Sequence, residues 1–184
     1  TAGLAGKCPR RWRTTTIADP AAQKRPDLIR RDFSTDAAAT DTRWCGDITY
    51  INTWQGWLYL ATVIDCHTRE VIGWAMDDHY RTPLIEEAIR MAATNHRHAA
   101  GAIFHSDRGS NYTSADFGTT LENLGIRQSV GRTGICYDNA LAESFVATLK
   151  TECFGDAIPP TRAAAQLIAF DYNETFYNRR RRHS

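Results

Sequence analysis

The chain has 184 residues, 42% hydrophobic and 23% charged, with a formal net charge of +1 and five cysteines. That length supports one domain with appended segments and a substantial core, and no apolar run approaches the roughly 20 residues a membrane helix needs. The near-zero net charge conceals an asymmetry: residues 1–31 carry eight Lys/Arg against two acids, residues 179–182 are four consecutive arginines, and residues 32–174 hold ten basic and nineteen acidic residues. An acidic body with basic extensions suits a domain whose arms hold a polyanion.

Residues 1–41 read as a basic, partly extended connector, with Pro9, Pro20, Pro26 and a Thr14-Thr15-Thr16 run. The first thirteen residues lack the apolar stretch of a signal peptide, and the start at Thr1 without a methionine reads as a fragment. The compact domain is expected over 42–184. Trp44 to Asn52, Trp57 to Ile64 and Val71 to Ala75 are rich in β-branched and aromatic residues, with turn residues in the gaps, and predict an antiparallel meander.

Thr82 as N-cap and Pro83 at the first helical position, with Glu86 and Glu87 in the first turn, predict a helix whose apolar face is Leu84, Ile85, Ala88, Ile89 and Ala92. His96-Arg97-His98 then reads as a solvated loop. A strand follows through Ala102-Ile103-Phe104 and breaks into His105-Ser106-Asp107-Arg108-Gly109-Ser110-Asn111-Tyr112. Ser114 caps a second helix to about Leu124, and Ile126 to Val130 reads as a fifth strand. A glycine-rich loop, Gly131 to Gly134, leads to a helix over about 138–150, and a last helix spans about Thr161 to Asn178 before the arginines. Three antiparallel strands followed by helix, strand, helix, strand require a crossover, so the expected fold is α/β: a five-stranded mixed sheet flanked by helices.

The cysteines (Cys8, Cys45, Cys66, Cys136, Cys153) form no zinc spacing and read as free thiols in a reducing, cytoplasmic setting. Three carboxylates have unusual settings. Asp47 interrupts an apolar strand, Asp107 follows a buried-looking strand end, and Glu143 sits on a helix opposite the stripe Leu141, Ala142, Phe145 and Leu149. Asn139 and Lys150 share that helix's polar face. Phosphodiester chemistry needs such a carboxylate cluster around two Mg²⁺ ions roughly 3.5–4 Å apart. Each residue also has an ordinary reading, as an edge-strand charge, a turn aspartate and a polar helix face.

Thirty-five residues separate Asp107 from Glu143 and 59 separate Asp47 from Asp107. With the motifs Trp44–Ile51, Gly56–Leu60, Arg69–Trp74, His105–Ser110, Cys136–Phe145 and Tyr177–Ser184, the chain resembles bacterial insertion-sequence transposases with a retroviral-integrase-like core. The insertion sequence 3 family is the nearest in pattern, from about residue 42 to the end. The resemblance implies a ribonuclease H-like fold and a catalytic, metal-binding triad of Asp47, Asp107 and Glu143. It implies two Mg²⁺ ions, for which Mn²⁺ substitutes, and Mg²⁺-dependent DNA nicking followed by strand transfer.

Lys150, Arg108, Tyr112, Asn111, His105, Asn139 and Arg179, Arg180, Arg181, Arg182 are the expected DNA contacts. Asn111 stands where the family more often has glutamine, and Asp65 and Asp138 are expected to be turn and cap residues. A hydrolytic nuclease without strand transfer, or a DNA-binding remnant, are the competing readings. No helix-turn-helix is evident. Element-end recognition is therefore expected from a region before the chain or from a partner reading frame, with a homo-oligomer assembling on element-end and target DNA.

Overall fold

The architecture is that of a computed structural model, which describes residues 25–29, 40–131 and 140–182. β1 (Arg43–Thr53), β2 (Gly56–Asp65) and β3 (Val71–Asp77) form the expected meander. Gly56, at φ +105°, closes the first turn in a conformation that side chains disfavour. Thr53 Oγ1 donates to its carbonyl at 2.6 Å. The second turn is organised by Asp65, whose buried carboxylate accepts from the His67 and Thr68 amides at 2.8 Å each.

α1 (Thr82–Asn95) starts one residue earlier than expected: Arg81 is the cap, so Thr82 and Pro83 are already helical and Glu86 falls beyond the first turn. The helix crosses over the sheet to β4 (Ile103–Ser106), which pairs parallel with β1. α2 (Ala115–Asn123) is capped by Ser114 Oγ, which accepts from the Phe117 amide at 3.3 Å. It leads to β5 (Arg127–Val130), parallel to β4. The sheet order is β3-β2-β1-β4-β5, the five-stranded mixed sheet that the element order required.

α3 (Ala140–Thr148) and α4 (Arg162–Asp171) cover the second face. Each widens into a π-helical turn: Leu149–Phe154, which runs past the helix end expected near residue 150, and Tyr172–Tyr177, inside the last expected helix. Strand alternation divides the core in two. Trp44, Val63, Phe104, Leu84, Ile89, Phe117 and Leu121 pack beneath α1 and α2. Cys45, Leu58, Leu60, Ile64, Phe145, Leu149 and Tyr177 pack beneath α3 and α4. Two glycines permit this closeness. A Cβ on Gly46 would sit 2.6 Å from the Phe104 ring, and one on Gly73 2.7 Å from Ala92 Cβ.

Two expectations need correction. The stretch Arg25–Ile29, assigned to a connector, lies against β5: Ile29 is buried, the Leu28 amide donates to Ser129 Oγ at 2.9 Å, and the Val130 amide to the Pro26 carbonyl at 3.2 Å. His98, assigned to a solvated loop, stacks edge-on to Trp44 at 5.3 Å, because the loop folds back to cover that end of the core. Cys45 and Cys66 are buried free thiols and Cys153 is a half-buried one. Cys8, Cys136, Asp138, Asn139, most of the glycine-rich loop and residues 1–24 and 30–39 of the connector lie outside the described residues.

Candidate active site where two parallel strands part

β4 pairs with β1 only through Arg43↔Ile103, Trp44↔Phe104 and Cys45↔His105. Asp47 and Asp107 each lie two residues beyond the last pair. The shared register therefore sets them level, on the face of the sheet that Cys45 occupies. Past that point β1 continues alongside β2 as far as Thr53↔Gly56, whereas β4 ends at Ser106. The edge of β1 is left open at the carboxyl end of β4, the place where open α/β sheets bind ligands.

Asp47 is partly buried, and its Oδ1 accepts from the Ile48 amide at 2.9 Å. Asp107 is exposed and accepts from the Gly109 amide at 2.8 Å. A Cβ at Gly109 would approach that same oxygen to 2.9 Å, so a side chain there would displace the carboxylate. Glu143 reaches the site from the first turn of α3, exposed, while Ala142 and Phe145 of the same helix face the core.

Asp47 feels the other two carboxylates. Burial, chiefly, pushes the Asp47 carboxyl up to about 6; the charges of Asp107 and Glu143 push the same way, and the Ile48 amide and Lys150 oppose them. An all-oxygen set of carboxylates in which burial and like charge resist ionisation of Asp47 fits a hard divalent cation, which would relieve both at that residue. Asp77, Asp78 and His79 are gathered more tightly, with ligand atoms within 4.8 Å of one another. They are instead paired at the surface, His79 with Asp77 at 3.2 Å and Asp78 with Arg162 at 3.8 Å.

A cavity of about 370 Å³ opens beside Asp47 and Asp107, and its other walls include Tyr50, Tyr59, Tyr80 and Tyr112. Lys150 Nζ lies 4.4 Å from the Tyr50 ring centroid. Arg108 is exposed, with its Nε donating to the Gly131 carbonyl at 2.7 Å. Asn111 Nδ2 donates to the Tyr80 carbonyl.

Several expected DNA contacts are placed differently. His105 is buried inside β4, its Nδ1 2.8 Å from Ser129 Oγ on β5. Tyr112 is buried against Phe104 and Phe117, where burial raises its phenol well above the ordinary value. His105 lies behind the site because the alternation of β4 turns it inward after Phe104, and Tyr112, in the turn after β4, is packed on the first core with only part of it lining the cavity.

The arginine cluster is tethered away from the carboxylates. Asn178 brackets Val71, accepting from its amide at 3.0 Å and donating to its carbonyl at 2.9 Å. Arg181 is engaged by Glu152 at 3.1 Å and lies over the Tyr177 ring, while Arg179, Arg180 and Arg182 are exposed. The wall of tyrosines was not foreseen. Its one sequence signal is that Tyr50 and Tyr59 fall opposite each other across the β1–β2 hairpin.

Comparisons with known proteins agree with this architecture. A model of the integrase core domain matches residues 37–136, and a second integrase core domain model matches residues 124–184. The transposase of insertion sequence element IS904 from Lactococcus lactis is 42% identical over 164 residues, which is 89% of this chain and 64% of that protein. Transposase InsF of insertion sequence IS3A from Escherichia coli is 38% identical over 182 residues, 99% of this chain and 62% of that protein. The chain thus spans less than two thirds of these relatives.

Among solved structures, a simian T-cell lymphotropic virus intasome superposes with a TM-score of 0.63 at 20% identity, covering 86% of this chain and 55% of that chain. The HTLV-2 integrase catalytic core in complex with magnesium gives 0.55 at 15% identity, over 74% of this chain and 89% of that chain. At these identities the likeness is one of fold, the ribonuclease H-like fold expected above. No helix among the described residues is long and apolar enough to cross a membrane.

Proposed function

The chain belongs to the integrase core domain family, and on that premise we propose that it is the catalytic core of a bacterial insertion-sequence transposase, nicking DNA at element ends and joining them to a target. The observation that carries the reading is the parallel register that sets Asp47 level with Asp107, where Glu143 on α3 and Lys150 add to the field on the Asp47 carboxyl. Asp47, Asp107 and Glu143 are assigned as the catalytic carboxylates and the holders of two Mg²⁺ ions, for which Mn²⁺ substitutes. When bound, these ions supply activation of the attacking oxygen and charge stabilisation at the leaving 3′ oxygen.

The chain's own residues do the positioning. Lys150, next to Asp47, attracts a non-bridging phosphate oxygen. Arg108, next to Asp107 in sequence and with its Nε held by the Gly131 carbonyl, is an exposed second cation. Arg179, Arg180 and Arg182, exposed beyond the Asn178 clamp, add a sequence-independent, salt-sensitive hold on flanking DNA. End recognition is assigned to protein outside this chain, and the active form to a homo-oligomer on DNA in the bacterial cytoplasm.

The test is cleavage and joining of labelled DNA ends in Mg²⁺ or Mn²⁺ by wild type, Asp107→Asn and Glu143→Gln. The reading expects nicked and joined products from wild type and neither from the variants. Nicking without joining of a pre-cut end points to a hydrolytic nuclease, and nicking retained by Asp107→Asn removes the carboxylate assignment.

A further inference from the structure

We propose that the tyrosine-walled cavity beside the carboxylates is a binding site for one unstacked nucleobase, adjacent to the phosphate that reacts. The proposal rests on the function proposed above and adds a subsite to it. The cavity of about 370 Å³ shares two walls, Asp47 and Asp107, with the candidate catalytic site. A nucleotide whose phosphate sits at those carboxylates can therefore place its own base, or its neighbour's, in the cavity.

The walls suit a flat aromatic guest. Tyr50 and Tyr80 are 54% and 58% exposed, so neither ring serves the core. Both are nevertheless braced. Trp57 meets the Tyr50 ring edge-on with centroids 4.9 Å apart, and Tyr59 leans against Tyr80 at 5.2 Å. Asn111 Nδ2 holds the backbone carbonyl of Tyr80 from the loop that begins at Asp107. Exposed aromatic rings held in place next to a phosphate site form a stacking platform, which accepts any base because every base has a π face.

Charge favours a nucleotide over an apolar peptide. Lys150 lies over the Tyr50 ring at 4.4 Å and also acts on the Asp47 carboxyl, so one cation is within reach of both the aromatic platform and the carboxylate. Geometry supplies the reason for unstacking. Asp47 lies at the open edge of β1 and lines the same cavity as the tyrosines. A base that enters this cavity must leave its own stack to do so. A base turned out of the duplex loses stacking on its neighbours and regains it on tyrosine.

The base comes from either the element-end strand or the target strand, and the test separates the two. Branched DNA mimicking a joined end carries an abasic site at each of the three nucleotides on either side of the junction phosphate, in one strand or the other. Affinities of wild type, Tyr50→Ala, Tyr80→Ala and Tyr80→Phe are measured by fluorescence anisotropy in Ca²⁺, so that no turnover intervenes.

The expected result is one abasic position that weakens wild type about tenfold, in the range set by base–aromatic stacking. Tyr80→Ala and Tyr50→Ala each weaken intact DNA to a similar degree and lose little more at that position, whereas Tyr80→Phe behaves as wild type. The strand carrying that position identifies the source of the base. Equal losses for the alanine variants at every abasic position, no loss for them on intact DNA, or no binding by wild type overturns the proposal. Mg²⁺-dependent nicking by the same proteins is scored separately. Nicking retained by Asp107→Asn rejects the carboxylate assignment without touching the binding cycle, and normal nicking with additive binding losses rejects the base site alone.

Discussion

Asp47 and Asp107 are held by a sheet, whereas Glu143 is held by a helix, and the two kinds of support differ in what they fix. The aspartates extend a parallel pairing, Cys45↔His105, that is locked by Phe104 against Gly46 and by His105 against Ser129. Asp47 sits within β1 and Asp107 directly after the end of β4, so the pairing of the two strands sets where both begin. Glu143 stands in the first turn of α3, directly after residues outside the described set. Its place depends on Ala142, Phe145 and Leu149 docking on the second core, and the helix opens into a π-helical turn six residues later. The three carboxylates thus comprise two carried by paired strands and one that follows the packing of a helix.

The largest expected effect comes from the strand-borne pair. Asp47→Asn should lower Mg²⁺-dependent nicking by about a thousandfold or more, since it removes several kcal/mol of transition-state charge stabilisation. The same change should stabilise the metal-free fold. Asp47 titrates at about 6 when folded against an ordinary value of 3.8, so the folded chain keeps a proton that the unfolded chain releases. This contribution is fully present below pH 4 and is lost as the pH rises through 6. Metal-free wild type should therefore fall behind Asp47→Asn by about 1–2 kcal/mol at pH 7.5, after discounting for solvent at the rim, and match it near pH 4. Thermal melts of both proteins across that range give the answer; a gap independent of pH would mean that Asp47 is not held in this environment.

The supports themselves can be removed next. Phe145→Ala takes out a ring that is 2% exposed and packed edge-on to Tyr177 at 4.8 Å, and should cost about 3–5 kcal/mol by denaturant unfolding. If Glu143 depends on helix docking, nicking at a temperature where the variant is folded should fall further than stability alone explains. Gly46→Ala loads the other support. Its Cβ would meet the Phe104 ring at 2.6 Å and the Thr62 carbonyl at 2.8 Å, so β1 and β4 must move apart at a cost of about 1–3 kcal/mol. Its effect should fall on both aspartates together. Loss of nicking with unchanged stability would show that the pairing sets their spacing but not the fold.

What could be read from the chain alone follows the same division. The sheet was legible because alternation, turn residues and the need for a crossover are local or topological, and three strands, helix, strand, helix, strand leave few arrangements. The three carboxylates proposed as the triad were singled out by spacing plus a family resemblance; that Asp47 and Asp107 fall at the same end of neighbouring strands needed the register, which no single segment encodes. His105 and Tyr112 were misplaced for a related reason. A polar residue after an apolar run reads as exposed, yet His105 finds its partner on Ser129, 24 residues away and visible only once β5 is in place. The arginine run suffered likewise, since its composition says nothing of Glu152, 29 residues before Arg181.

That last pairing supplies the smallest and most discriminating prediction. Glu152 accepts from Arg181 at 3.1 Å and from the Tyr172 hydroxyl at 2.8 Å, and these two hydrogen bonds hold its carboxyl below the ordinary range. The carboxylate is exposed, so the ion pair adds little to the fold, and Glu152→Gln should change stability by no more than about 0.5 kcal/mol. It should change DNA binding more. The pair joins the π-helical turn after α3 to the one after α4, and it neutralises one arginine of the cluster. Without it Arg181 is free to meet phosphate, so affinity for non-specific duplex at low salt should rise a few-fold, and the slope of log affinity against log salt should steepen by about one. An unchanged slope would place Arg181 away from the DNA path and make its role the fastening of the two turns. A steeper slope with nicking unaltered would mean that the helix-held side of the site tolerates losing that fastening, leaving the packing of Phe145 and Leu149 to keep Glu143 in place.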